Sequence, residues 1–154
     1  MIAWDCMPKI RRYESRDFVD YVSTLEKTTK WGRHSGEELK ARMEKLTSKD
    51  QIWVAEIDSR AIGFMILAPN TDGSLEVDWL DVHPSFQRMG IGNFLVGKAV
   101  KIAKAKKMQA LSVHTLPTNE KMINFSFKNG FEIFERIKNF YGKRKDAIRF
   151  KKRI

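Results

Sequence analysis

The sequence predicts a mixed α/β fold: one twisted sheet of about seven strands with about four helices, in the order β-α-α-β-β-β-α-β-α-β-β. Three observations predict it. Segments with the period of two that marks strands alternate with segments of helical spacing. A glycine-bearing turn joins a strand directly to a helix. The chain has 154 residues, 42% of them hydrophobic, enough for one ordinary domain that buries roughly 68–70% of its unfolded surface. Residues 1–154 therefore read as a single domain, without repeats, low-complexity segments or linkers.

Lys9 to Tyr13 reads as a short first strand, and Phe18, Val22 and Leu25 then recur at helical spacing. Ser35 and Glu38 form a capping box for a second helix whose apolar positions are Leu39, Met43 and Leu46. Gln51 to Ile57 and Ala61 to Ala68 are rich in β-branched and aromatic residues and flank a tight turn at Asp58, Ser59 and Arg60, so they predict a hairpin. After the turn from Pro69 to Gly73, Leu75 to Val82 reads as a strand that stops before Pro84. Gly90 and Gly92 open a helix with the stripe Ile91, Leu95, Ala99 and Ile102, running to about Lys107. Ala110 to Thr115 is a strand, Pro117-Thr118 starts a helix ending at Gly130, and Phe131 to Phe140 and Lys145 to Lys151 complete the set.

Cys6 is the single cysteine, so no internal disulfide is available, which fits a reducing compartment. No apolar run approaches the roughly 20 residues of a membrane span, and Met1 to Met7 lacks the pattern of a signal peptide. A cytoplasmic protein with no membrane association is the expectation. His34, His83 and His114 are far apart and no CxxC occurs, so no metal site is expected. Isolated histidines are more often surface or satisfied core residues than ligands.

Lys and Arg total 29 against 19 Asp and Glu, a net charge of +10, but the distribution is uneven. Between Ala61 and Gln87 there is no Lys or Arg, while Asp72, Glu76, Asp78 and Asp81 give that window −4 and leave +14 elsewhere. One region favours a cation and the rest favours anions. The basic stretches Lys98 to Lys107 and Lys143 to Arg153 lack a nucleic-acid motif or interleaved aromatics, which argues against a nucleic-acid interface.

The chemistry-bearing segment is Val82-His83-Pro84-Ser85-Phe86-Gln87-Arg88-Met89-Gly90-Ile91-Gly92-Asn93. Its glycines let backbone turn tightly and approach a ligand closely, and the helix that follows offers unpaired N–H groups to an anion such as a pyrophosphate. It is no P-loop, because no Gly-Lys-Ser/Thr follows. With its Q/R-x-x-G-x-G/A core, the segment resembles the signature of the GNAT superfamily of acetyl-coenzyme A-dependent N-acetyltransferases. A second family motif recurs from Asn119 to Phe131, and the order of elements is similar over nearly the whole chain.

The resemblance implies a GNAT fold. It implies that backbone of Leu80, Asp81 and Val82 pairs with the pantetheine arm, and that the segment Gln87, Arg88, Met89, Gly90, Ile91, Gly92 and Asn93 holds the pyrophosphate. Asn119 would contact the cofactor on its far side, Lys128 stands where the family often has a lysine near the nucleotide phosphates, and Ser126 counts among the cofactor-binding positions. The family usually has a tyrosine in the second motif that protonates the leaving thiolate; Ser126 stands there, a weak acid, so Tyr141, a water or no acid completes the step. The terminal segments around Asn139-Phe140-Tyr141 and Asp146-Ala147-Ile148 are similar to the hairpin that closes the peptide site in members acting on protein N-termini and ribosomal proteins.

Acetyl transfer needs a neutral amine, yet a lysine amine with pKa about 10.4 is only about 0.04% neutral at pH 7, and an α-amine roughly 10–17%. A proton acceptor helps. Glu76, Asp78, Leu80 and Val82 share one face by the strand period, and Glu76 precedes Gln87 by eleven residues, a spacing similar to that of the base glutamate in the histone-modifying branch. Glu76 is the expected base and Asp78 the expected attractor of a cationic acceptor. With no cysteine in either motif, direct transfer in a ternary complex is expected, from acetyl-coenzyme A to a small-molecule amine, a protein lysine or an N-terminus. An acyl-coenzyme A sensor without catalysis is the alternative that Ser126 favours. The acceptor's identity and the oligomeric state, a homodimer included, are not written in the sequence.

Overall fold

In the computed structural model, which describes residues 7–26 and 32–154, the elements follow the predicted order: β1 (Lys9–Arg12), α1 (Ser15–Glu26), α2 (Gly32–Glu44), β2 (Gln51–Ile57), β3 (Arg60–Pro69), β4 (Ser74–Val82), α3 (Ile91–Ala105), β5 (Ala110–Thr115), α4 (Glu120–Lys128), β6 (Glu132–Ile137) and β7 (Ala147–Arg153). Cys6 lies outside the described residues, as do the side chains of Leu25, His34 and Ser35. The sheet has seven strands in the order β1-β2-β3-β4-β5-β7-β6. The β4–β5 pair is parallel, and β1–β2, β2–β3, β5–β7 and β6–β7 are antiparallel.

Several boundaries differ from expectation: the last strand, predicted over Lys145 to Lys151, is Ala147–Arg153, and the helix predicted from Pro117-Thr118 begins at Glu120; three further differences have a local cause. The second helix begins at Gly32, ahead of Ser35, so Ser35 does not mark its start. The β2–β3 turn needs only two residues, Asp58 and Ser59, whose φ values of 50° and 63° are the left-handed pair that matches the twist of a hairpin. Strand β6 stops at Ile137, short of the predicted Phe140. Asn139 takes φ 55°, its N–H donates to Asp146 Oδ1 at 3.0 Å and its side-chain oxygen accepts from Arg144 N at 2.8 Å. A side chain that bonds its own loop turns the chain here, which takes Phe140 and Tyr141 off the strand.

The chain forms two compact units, Met1–Leu67 with Trp79–Lys98, and Ala68–Asp78 with Ala99–Ile154. In the first, Tyr21 and Leu39 from α1 and α2 pack on Ile52, Val54, Phe64 and Ile66. In the second, Leu75, Leu111, Val113, Phe131 and Phe150 are buried, and Phe127 of α4 meets Phe150 edge-on at 5.4 Å. Burying each such large side chain is worth roughly 1.5–3 kcal/mol. Parallel pairing of β4 with β5 is confined to Ser74–Glu76 against Ala110–Ser112. Past Glu76 the ladder ends, and Asp78 and His114, next on the same face, are not register partners.

Candidate active site

Strand alternation builds an ionisable face within the second unit. Glu76 of β4 pairs with Ser112 of β5, and Ser112 and His114 pair with Lys151 and Arg149 of β7. The period of two therefore brings Ser74, Glu76, Asp78, Ser112, His114, Arg149 and Lys151 to one side. Leu75, Val77, Leu111, Val113 and Phe150, on the other side, are buried.

Glu76 is the hub of this face and is only 6% exposed. Its Oε1 lies 2.5 Å from His114 Nδ1, and its Oε2 accepts from the Ser112 hydroxyl and from Asn70 Nδ2 at 3.3 Å. Burial pushes the Glu76 carboxyl up, but hydrogen bonds to His114 and Ser112, the attraction of His114 and the Asn70 amide outweigh it. The net result lies below the usual glutamate range. The His114 ring lies flat on Phe140, with centroids 4.5 Å apart and planes 1° from parallel, and Phe140 meets Tyr141 edge-on at 4.9 Å.

A cavity of about 380 Å³ opens on this face, lined by Asn70, Thr71, Asp72, Glu76, Asp78, His114, Phe140 and Arg149. Three carboxylates in that wall favour a cationic guest. Asp72 is already satisfied: the Ser74 hydroxyl first, then Arg149 at 2.7 Å and Lys151 at 3.0 Å, hold its carboxyl well below the usual range. Asp78 is exposed. Burial pushes the Tyr141 phenol up to about 12, with Glu76 and Asp78 adding to the shift, so it stays protonated at neutral pH.

In the first unit, β4 ends at Val82 and passes through a 3₁₀ turn, Pro84–Phe86, into α3. His83, 3% exposed, caps that turn by accepting from Ser85 N at 3.1 Å, the satisfied role expected of an isolated histidine. Gln87 Nε2 donates to Val82 O at 3.0 Å and braces the loop. Arg88 and Gly90 take φ values of 63° and 79°, the left-handed region that suits glycine. Gly92 is already inside α3, so only Gly90 needs the freedom expected of both. Space above Gly90 is open: a Cβ there meets no atom within 4 Å. Phe94 N donates to Gly90 O at 3.1 Å as α3 begins, and no acid stands in its first turn. Open space over Gly90 at a positive helix end fits a pyrophosphate.

Asn119 and Ser126 have local partners among the remaining predicted residues, and the others differ in exposure. Asp81, 6% exposed, packs its carboxyl near Tyr21 of α1, and burial pushes it up to about 7, with its Oδ2 and the Tyr21 hydroxyl both buried without a hydrogen-bond partner among the described residues. Asp81 thus offers a ligand backbone, and its side chain is committed to the core. Leu80 and Met89 are partly and more fully exposed, respectively. Asn119 caps α4 by accepting from Met122 N at 3.1 Å. Ser126 is buried and donates its hydroxyl hydrogen to Met122 O at 2.7 Å. Lys128 is exposed in the last turn of α4.

Sequence reasoning gave His114, Ser112, Asn70 and Arg149 no place in the site, and singled out Phe140 only as part of the terminal segment. The period of two over β5 was visible and puts Ser112 and His114 on one face, but the pairing of β5 with β4 was not. Of the basic run Lys143 to Arg153, Arg149 and Lys151 bind Asp72 and Lys152 donates to Asn129 O at 2.8 Å, so part of that charge is spent inside the unit. Among the described residues, no three His, Cys, Asp or Glu side chains converge as metal ligands, and no helix is long and apolar enough to cross a membrane.

The model of the Acetyltransferase (GNAT) family matches residues 8–131. Among solved structures, the chain is similar to a GNAT family acetyltransferase from Elizabethkingia anophelis with acetyl-CoA bound, at 19% identity over 96% of this chain and 98% of that one, TM-score 0.73. It is also similar to the ribosomal-protein-S18-alanine N-acetyltransferase from Escherichia coli, at 18% identity over 96% and 94%, TM-score 0.75. An aminoglycoside 6'-N-acetyltransferase complexed with coenzyme A matches at 19% identity over 94% and 96%, TM-score 0.72. At such identities the likeness carries the fold.

Proposed function

Because the chain belongs to the acetyltransferase (GNAT) family, we propose that it moves the acetyl group of acetyl-coenzyme A directly to a primary amine, working as a single domain in the cytoplasm. The observation that carries this is strand β4, which bears a buried, hydrogen-bonded carboxylate at Glu76 and runs on into the amide-rich turn at Gly90. Two of the structures described above hold acetyl-CoA or coenzyme A, which supports the choice of donor.

In this reading the amides from Arg88 to Asn93 hold the pyrophosphate, Gln87 braces their loop, and backbone of Leu80 to Val82 aligns the pantetheine arm. Bound acetyl-coenzyme A supplies the thioester carbonyl. Asp78 draws the acceptor in as a cation, and the network centred on Glu76 takes its proton, so that the nitrogen lone pair is free to form the amide bond as the carbon–sulfur bond breaks. Tyr141, protonated at neutral pH, supplies the proton to the thiolate. Ser126 contributes packing, since its hydroxyl hydrogen is held by Met122 O.

Incubation with acetyl-coenzyme A and a panel of primary amines, read as thiol release, tests the reading. Release that depends on amine is expected. Cofactor binding by calorimetry without release for any amine points to the second reading, an acyl-coenzyme A sensor, which the serine at position 126 favours. Binding of neither donor nor amine overturns both.

A further inference from the structure

Nothing in the sequence motifs assigns a task to His114, yet the geometry gives it the better position for the proton. We infer that His114 Nε2 is the group that takes the acceptor's proton, and that Glu76 is a positioning residue acting through the opposite ring nitrogen. The inference rests on the acetyl transfer proposed above.

Glu76 is poorly suited to be the base itself. Its two oxygens already serve three donors, from His114, Ser112 and Asn70, and a carboxylate stabilised in this way is a weaker proton acceptor than an ordinary one. His114 is arranged differently. Its Nδ1 is bound to Glu76 Oε1 at 2.5 Å, a bond that fixes the tautomer with hydrogen on Nδ1 and the lone pair on Nε2. The parallel stack on Phe140 removes the other freedom, rotation of the ring. Nε2 has no hydrogen-bond partner among the described residues, and His114 lines the cavity that Asp78 and Glu76 also line. A histidine oriented by a buried carboxylate and open at its far nitrogen is the arrangement that general-base catalysis uses on unrelated folds.

The step balances without another reactant. An N–H bond of the acceptor ammonium breaks, its electron pair stays on nitrogen, and the proton forms a bond to Nε2. The resulting imidazolium keeps its Nδ1 hydrogen bond to ionised Glu76, which offsets the new charge. The proton then leaves to water through the cavity. The charged and titratable groups around the ring are Glu76 and Asp78 from β4, Asp72 from the turn before it, Arg149 from β7 and Tyr141 beside Phe140.

The test uses His114→Ala and Glu76→Gln in the full chain, with acetyl-coenzyme A affinity measured by calorimetry to show that each variant is folded. His114→Ala should lower kcat/KM by about 10²–10⁴ at unchanged cofactor affinity, and added free imidazole should restore activity in proportion to its neutral form. A residue that only packs is not rescued in this way. Glu76→Gln should be as damaging, for a specific reason. Ser112 and Asn70 both donate toward Oε2, so the new amide sets its carbonyl there and turns its NH₂ to Nδ1, which forces hydrogen onto Nε2 and removes the lone pair. Glu76→Asp, which keeps an acceptor at Nδ1, should recover part of the loss. In wild-type protein, ¹⁵N spectra should show the Nδ1–H tautomer, and in Glu76→Gln the Nε2–H tautomer. Full turnover of folded His114→Ala, or an Nε2–H tautomer in the wild type, overturns the inference while leaving acetyl transfer intact. A wild-type protein inactive on every amine strikes the transferase reading, and the tautomer measurement then still decides the role of Nδ1.

Discussion

The turn at Gly90 and the cavity around Glu76 are built on opposite plans. The turn is made of backbone: its functional groups are the amides at the start of α3, its shape comes from Arg88 and Gly90 at positive φ, and all of it lies within a dozen consecutive residues. The cavity is made of side chains that come from four separate stretches, near Asn70, Glu76, His114 and Phe140–Arg149. On the proposed reading the backbone site depends on what is absent, since a Cβ at Gly90 would stand in the open space that the cofactor takes. The side-chain site depends on what is present and on the register that holds it. Substitutions should separate the two, one kind abolishing cofactor binding and the other slowing turnover.

The largest effect is expected at Gly90. Gly90→Phe should abolish measurable acetyl-coenzyme A binding by calorimetry, while the circular dichroism spectrum stays that of the wild type. A Cβ there meets no protein atom, and the left-handed conformation costs only about 1–2 kcal/mol. Unchanged affinity would falsify the cradle. On the side-chain plan, turnover of Glu76→Gln should fall about 10²–10⁴-fold with cofactor affinity intact, and the fall should be steeper for lysine-like acceptors than for less basic amines. Equal losses for both would mean that proton removal is not what Glu76 supports. Asp78→Asn should mainly raise the acceptor's KM, by several-fold, since it removes attraction from an exposed position; a pure kcat effect argues against that role.

Ser126→Ala should change turnover by less than about tenfold, and Tyr141→Phe should cost more than that. The reverse order would mean that the proton path runs through α4. The smallest effect is in stability. Asp81 has a folded pKa of about 7, above the ordinary aspartate value near 3.9. Below both values it has no effect; as pH rises between them, the unfolded chain ionises first and the fold loses stability, and the loss is complete above pH 7. Asp81→Asn should therefore raise the melting temperature at pH 8 by a few degrees, at about 2–4 °C per kcal/mol, and leave it nearly unchanged at pH 4. An equal shift at both pH values would show that ionisation of Asp81 is not the cause.

The contrast also explains what was legible in the sequence. Strands and helices followed from periodicity, and the Gly90 turn from its spacing, because both are local. The first turn of α2 and the end of β6 were misplaced by local chemistry: Ser35-x-x-Glu38 has a capping pattern inside an ongoing helix, and Asn139 ends β6 by bonding Asp146 and Arg144. Glu76 stood out by its distance from Gln87. His114 did not, because the carboxylate that gives it meaning is 38 residues away and reaches it only after β4 and β5 pair in parallel. A lone histidine and a histidine on a buried carboxylate are the same letter in a sequence.

Register gives the ionisable face an unequal tolerance to change. One residue inserted between Ser112 and Val113 would swing the imidazole to the apolar side of β5 and bring Val113 into its place, whereas residues added to the 138–146 loop would move only the rings that hang from it. Insertions and deletions are thus excluded from the Glu76–His114 pair and admitted at the cavity's rim. If the proposed transfer holds, lengthening that loop would change which acceptor fits while the pair beneath stays as it is.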